Sequence, residues 1–176
     1  MAEGGAPDIE QLIVAAATGI RRLTVVELRA VREYVAAAGF NPEPNASAQG
    51  LAGVVWQGRV LKGTDRLPAG EAHYLDHVVQ LQEWPVGTTL QGYYDSISSL
   101  ILDHRSGVLT SAYGTRLQLT IVGRTRQDRG PGGAELILVE YRVELGHWVT
   151  AFQPTDGLRV FRNARRTGIR WLRLPH

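Results

Sequence analysis

Hydrophobic positions change period once along this chain of 176 residues. From Asp8 to Thr18 and from Thr24 to Ala38 they recur at helical spacing, as Leu12, Ile13 and Ala16, then Val25, Leu28, Val31, Val35 and Ala38. Thr24 with Glu27 three residues on reads as a capping box, and Gly39 stands where a left-handed C-terminal residue belongs. A third helix is predicted over Ala69 to Gln82, with Tyr74, Leu75, Val78, Val79 and Leu81 as its apolar side and Pro85 restricting any continuation. A fourth is predicted over Thr89 to Leu102, capped by Thr88, with Leu90, Tyr93, Tyr94, Ile97, Leu100 and Ile101 at helical spacing. Near Ser106 the period falls to two. The stretches 108–113, 116–126, 135–145 and 147–153 then read as four antiparallel strands. The expectation is an α+β domain: N-terminal helices followed by a twisted antiparallel four-stranded sheet.

The densest strand signal is ELILVEYRVELGHWVTAFQP, from Glu135 to Pro154. If Leu145-Gly146 is a two-residue hairpin loop, Val143 faces Trp148, Tyr141 faces Thr150 and Val139 faces Phe152. Glu140, Arg142, Glu144 and His147 then share the opposite face. Simple alternation leaves Arg142 and Thr150 on different faces, and a bulge near Gly146 would bring them together.

The remaining stretches are weaker. Residues 1–7 read as a flexible leader, and Asn41 to Gly50, rich in Pro, Asn and Ser, as a linker. Val54 to Leu61 is a candidate short strand. The glycines of 128–133 do not lie between a strand and a capped helix, so this is a plain loop rather than a phosphate cradle. The chain thus divides into a helical segment over 1–45, an α+β segment over 46–154 and an arginine-rich extension over 155–176.

Composition narrows the chemistry. With no cysteine, disulfides, thiolate nucleophiles and Cys-based metal sites are excluded. No apolar run is long enough to span a bilayer, and the acidic start MAEGGAPDIE lacks the basic region of a signal peptide. A soluble protein is expected, cytoplasmic or delivered into the cytoplasm of a target cell. Net charge is only +2, yet Arg159, Arg162, Arg165, Arg166, Arg170 and Arg173 crowd the C-terminal end. Such a basic end suits an anionic partner, RNA above all, and Arg124, Arg162, Arg165 and Arg166 are the candidate contacts. His73 and His77 are four apart on one helix face. A third metal ligand is not evident, so no metal or cofactor is expected.

HYLDHVV with His77, the Trp-Pro turn with the helix GTTLQGYYDSI after it, and the strand pair LVEYRVELGHWVTAFQP together resemble a known arrangement. It is the small ribonuclease-toxin fold shared by barnase, the EndoU nucleases, the tRNase colicins and the RelE toxins, and the resemblance covers about residues 54–154. It implies a metal-independent ribonuclease, the toxic domain of a bacterial or phage toxin system, with RNA as substrate and a cognate immunity or antitoxin protein as partner. It also implies His77 in acid–base chemistry, Thr150 on a phosphate oxygen and Arg142 as charge stabiliser, with Glu140, Tyr141 and His147 in reserve. The competing reading is a non-enzymatic protein-binding module, immunity-like or an adaptor. A nuclease should present a basic concave face with His77 near the sheet; an adaptor should present an exposed apolar patch.

Overall fold

The computed structural model describes residues 8–176, and the leader expected over 1–7 lies outside them. Helix α1 (Ile9–Ala17) begins at Asp8, whose carboxylate accepts from the Glu10 and Gln11 amides. Helix α2 (Val25–Ala38) carries the expected capping box, in which Thr24 and Glu27 each accept from the other's amide. It ends at Gly39, which has a φ of 64°.

Residues 41–67 are neither a linker nor a single strand. Four two-residue strands form there: Ala46–Ser47 (β1), Val55–Trp56 (β2), Arg59–Val60 (β3) and Arg66–Leu67 (β4). Strand β1 pairs with β4, and β2 folds back on β3 through Gln57 and Gly58, both at positive φ. The polar composition hid what pins this region. Ala48, Leu51, Leu61, Leu67 and Leu75 close on one another as a small second core.

Helix α3 (Ala69–His73) runs straight into a π-helical segment over Tyr74–Gln80. Past it, the Leu81 amide donates five residues back, to Asp76. This wider turn carries later residues around the axis, so Leu75 and Val78 are buried while Leu81, expected on the apolar side, is 50% exposed. Helix α4 (Leu90–Leu102) is capped by Thr89, not Thr88; the Thr88 hydroxyl donates to the Pro85 carbonyl instead.

The sheet has five strands where four were expected. Gly107–Tyr113 (β5), Arg116–Arg124 (β6), Leu136–Arg142 (β7), His147–Phe152 (β8) and Arg166–Arg173 (β9) lie in the order β8-β7-β6-β5-β9, all antiparallel. The fifth strand comes from the arginine-rich end. Three arginines among eight residues mask its strand pattern, but Thr167, Arg170 and Trp171 pair with β5. One face of the sheet holds Ile121, Ile137, Val139, Tyr141, Trp148 and Ala151 against α1, α2 and α4. On the other face Leu109, Val122 and Leu138 are covered by Phe161, carried by a strap over 153–165 that joins β8 to β9 across the sheet. The sequence boundaries at 45 and 154 are therefore not boundaries in space. Val31 and Val35 share the main core with Val139, and Phe161 sits on the sheet.

Candidate functional site

The β7–β8 hairpin decides which side chains share a face. Its loop is Val143–Gly146, four residues closed by a glycine at φ 68°, rather than the two-residue loop expected. Glu140 pairs with Thr150 and Tyr141 with Trp148, so Val149 is one residue too many. This is a β-bulge, placed three residues beyond Gly146. Before it His147 stands opposite Arg142; after it Thr150 stands opposite Glu140. Residues directly opposite in an antiparallel pair share a face. Glu140, Arg142, His147 and Thr150 therefore all lie on the strap side. The bulge removes the conflict that simple alternation created between Arg142 and Thr150. By the same geometry these two are diagonal neighbours, with Cβ atoms about 7 Å apart.

Tyr141 is corrected off this group. It lies on the helix side with no exposed surface, and burial pushes its hydroxyl pKa up. Glu140 and Arg166 are on the strap side but are each other's partners. Arg166 also donates to the Ser111 hydroxyl at 3.0 Å and lies over the Phe161 ring. Their side chains are only 11% and 5% exposed, so Arg166 presents no open guanidinium to a phosphate. The pair also reports curvature. From β9 to β7 is three strand spacings, roughly 14 Å on a flat sheet, and an ion pair bridges that only across a concave face. Arg124, Arg162 and Arg165 are exposed, the first at the end of β6 and the others on the strap.

His77 stands at the β8 rim of the concave face, where its ring stacks on Phe152 at 5.8 Å. It belongs to a ladder of four rings, Phe40, His73, His77 and Phe152, with centroid steps of 5.6, 5.7 and 5.8 Å. His73 and His77 are four residues apart, and their imidazoles are only 11° from parallel. Among the described residues no hydrogen bond joins His77 to Arg142 or Thr150.

The sequence did not reveal what holds His77. Its Nδ1 is 3.2 Å from Oε1 of Glu83, a buried carboxylate whose Oε2 accepts from the Gln153 amide at 2.8 Å. The Glu83 backbone is fixed as well. Its amide donates to the His77 carbonyl and its own carbonyl accepts from the Gly130 amide. The glycines of 128–133 are what allow this. A Cβ on Gly130 would lie 1.9 Å from the Trp84 carbonyl oxygen, one on Gly132 2.0 Å from that of Leu81, and one on Gly133 2.4 Å from that of Glu83. The loop expected to be plain is a latch against Leu81–Trp84. Gln153 completes it, donating to the Asp128 carbonyl and accepting from the Ala134 amide. The one available signal was the run of glycines, which marks close backbone approach.

His73, which shares a helix face with His77, is the other member. Burial, then its neighbour His77, lowers its pKa to about 4, and its ring hydrogen-bonds the Val149 backbone, the residue that the bulge leaves over. His73 thus holds the bulge that aligns Thr150. A glutamate on Nδ1 of His77 favours the tautomer with hydrogen there, leaving Nε2 as the proton acceptor. An open pocket of about 350 Å³ adjoins, lined by Glu83, Phe152, Gln153, Thr155 and Asp156 among others. A roomier groove of about 560 Å³ lies between α2 and Leu102 on the helix side, but its buried cation, Arg32, is spent on the Ile101 and Ser106 carbonyls. No family model matches the chain, and no curated protein or solved structure is significantly similar to it.

Proposed function

We propose that the chain is a metal-independent ribonuclease working on the concave face of the sheet. The observation that carries this reading is the His77–Glu83 pair at the rim of a face on which the Val149 bulge gathers Arg142 and Thr150. Nε2 of His77 takes the proton of a ribose 2′-hydroxyl, and the freed oxygen bonds to the neighbouring phosphorus. The bond from phosphorus to the 5′ oxygen breaks, that oxygen takes a proton from water, and the hydroxide left behind takes up the proton that His77 holds. Glu83 steadies the imidazolium that forms, as a buried carboxylate does in other His-based proton transfers. Arg142 offsets the charge gathering on the phosphorane oxygens, and Thr150 donates its hydroxyl to one of them. Glu140 and Arg166 are the brace beneath the site rather than reacting groups. Assignment as the toxic domain of a toxin system, with an immunity or antitoxin partner, rests on the resemblance to small ribonuclease toxins.

The test is total RNA incubated with purified protein and EDTA. Wild type should cut, and His77→Ala should fold normally and lose roughly 100- to 10,000-fold in rate. Thr150→Val, which keeps shape and β-branching, should slow cutting while leaving the unfolding midpoint near wild type. If wild type cuts no RNA, or His77→Ala cuts as fast, the reading is wrong. A second reading has its own observation. Ile20, Val25 and Val26, exposed by 80%, 83% and 77% in the turn before α2 and its first residues, form an apolar edge of the kind a protein-docking module offers.

A further inference from the structure

The groove of about 560 Å³ on the helix side carries positive charge that the fold does not neutralise. Arg32, only 4% exposed, lines it from α2, and half-buried Arg173 lines it from the end of β9, opposite Val108. Both hydrogen bonds of Arg32 go to uncharged acceptors, the Ile101 carbonyl at 2.9 Å and the Ser106 carbonyl. Among the described residues neither guanidinium has a carboxylate partner. The carboxylate whose charge acts on Arg32 is Asp103, and it is already held by Arg105 at 3.0 Å and Arg126 at 3.1 Å. Burial holds the Arg32 pKa below its ordinary value; Asp103 raises it in part, and the neighbouring charge of Arg173 lowers it again. Glu33, which also lines the groove, is exposed and paired with Arg29 at 2.9 Å. A buried charge is ordinarily paired with an opposite one, because neutral partners do not return what leaving water costs. Two guanidiniums set side by side in one groove leave a place for an anion.

We infer that this groove binds a small amphiphilic anion, a carboxylate on an aliphatic tail. The site is independent of the ribonuclease reading, since it lies on the other side of the sheet from Arg142 and Thr150. Head and tail each have their own observation. A guanidinium offers a planar fork of donors that matches the two oxygens of a carboxylate, and Arg173 spends its fork on no acceptor among the described residues. Arg32 adds its charge while keeping its two carbonyls. Val25, Leu28 and Leu102 supply an apolar lining, and Val25 and Leu102 are 83% and 51% exposed. Aliphatic surface so open to water is stabilised when an apolar tail covers it. RNA has the charge but no tail for this lining. A second copy of the chain packed here about a two-fold axis would bring the same unpaired guanidiniums together, which their repulsion opposes. The volume lies within the range of small-ligand sites, roughly 300–1,000 Å³.

The experiment uses the full chain and three probes titrated by calorimetry: octanoate, octanol with the same tail but no charge, and acetate with the charge but no tail. Wild type should bind octanoate at least about tenfold tighter than either of the others, the scale of one charge-assisted contact or of two buried methylenes. Arg173→Gln removes the charge and leaves the backbone pairing with Val108 in place. It should weaken octanoate about tenfold and leave octanol unchanged. Leu102→Ser, at an exposed position, should weaken octanoate and octanol alike, and it holds the test open even if Arg173→Gln fails to fold. Octanoate and octanol bound equally by wild type would show an apolar cleft without an anion site and overturn the inference. Absence of octanoate binding overturns it, and so does octanoate binding that survives both substitutions, since the ligand then sits elsewhere. A dimer in sedimentation that Leu102→Ser splits would make the groove a contact between copies, and overturns the small-ligand assignment as well.

Discussion

Single residues here work through the partners that hold them. His73 is a clear case, because its ring binds the bulged Val149 backbone and is kept neutral by burial and by His77. Its folded pKa is about 4 against 6.5 in the unfolded chain. The unfolded chain therefore takes up a proton that the fold refuses. Stability from this group is fully present above pH 6.5 and is lost as pH falls toward 4, by roughly 3 kcal/mol in all. Urea unfolding at pH 7 and pH 4.5 checks this: wild type should lose stability across the interval, and His73→Asn should lose distinctly less. Equal losses would mean that the ring is protonated in the fold. Of the residues read from sequence as site candidates, His77 stands at the rim of the face that carries Arg142 and Thr150. Glu83 was not legible. A glutamate between a helix and a Trp-Pro pair looks like any other until the fold brings Gln153 and Gly130 to it, 70 and 47 positions further along.

Elements were legible where one period ran long enough. Helices α1, α2 and α4 and strands β5 to β8 lie within a few residues of their sequence positions, since each has a continuous buried stripe. What failed were departures from ideal period: the π-helical turn, the bulge and the latch loop. Each depends on contacts distant in sequence rather than on local pattern. They are also the features that place His77 and Thr150. The latch gives a direct test. Gly130→Ala puts a methyl 1.9 Å from the Trp84 carbonyl oxygen and 2.3 Å from that of Gln82, neither of them a flexible side-chain end. The overpacking should cost roughly 1–3 kcal/mol in stability. Because the same move shifts Glu83, RNA cutting should fall further than the fraction unfolded explains, and its pH optimum should move. A variant that is destabilised but cuts normally once folded would show that the latch only braces the core.

For the whole molecule, the arginine-rich end is the main surprise, and it changes how RNA binding has to be tested. Cutting the chain after Pro154 would remove β9 from the β5 edge and lift Phe161 off Leu109, Val122 and Leu138. Any lost affinity would then report lost structure. The six arginines in fact divide. Arg166 is buried against Glu140, Arg170 lies against Gly19 on the helix side, and Arg173 pairs with Val108 in the sheet. Arg159, Arg162 and Arg165 stand exposed on the strap, above the face that carries Arg142 and Thr150. Changing these three to Gln leaves Phe161 and β9 untouched. If the strap contributes phosphate contacts, each removed contact should lower the slope of log K against log salt by about 0.7, so the triple variant should lose about 2. Affinity at low salt should fall while the unfolding midpoint stays near wild type. An unchanged slope would mean that the strap makes no phosphate contacts and serves only as a cover for the sheet.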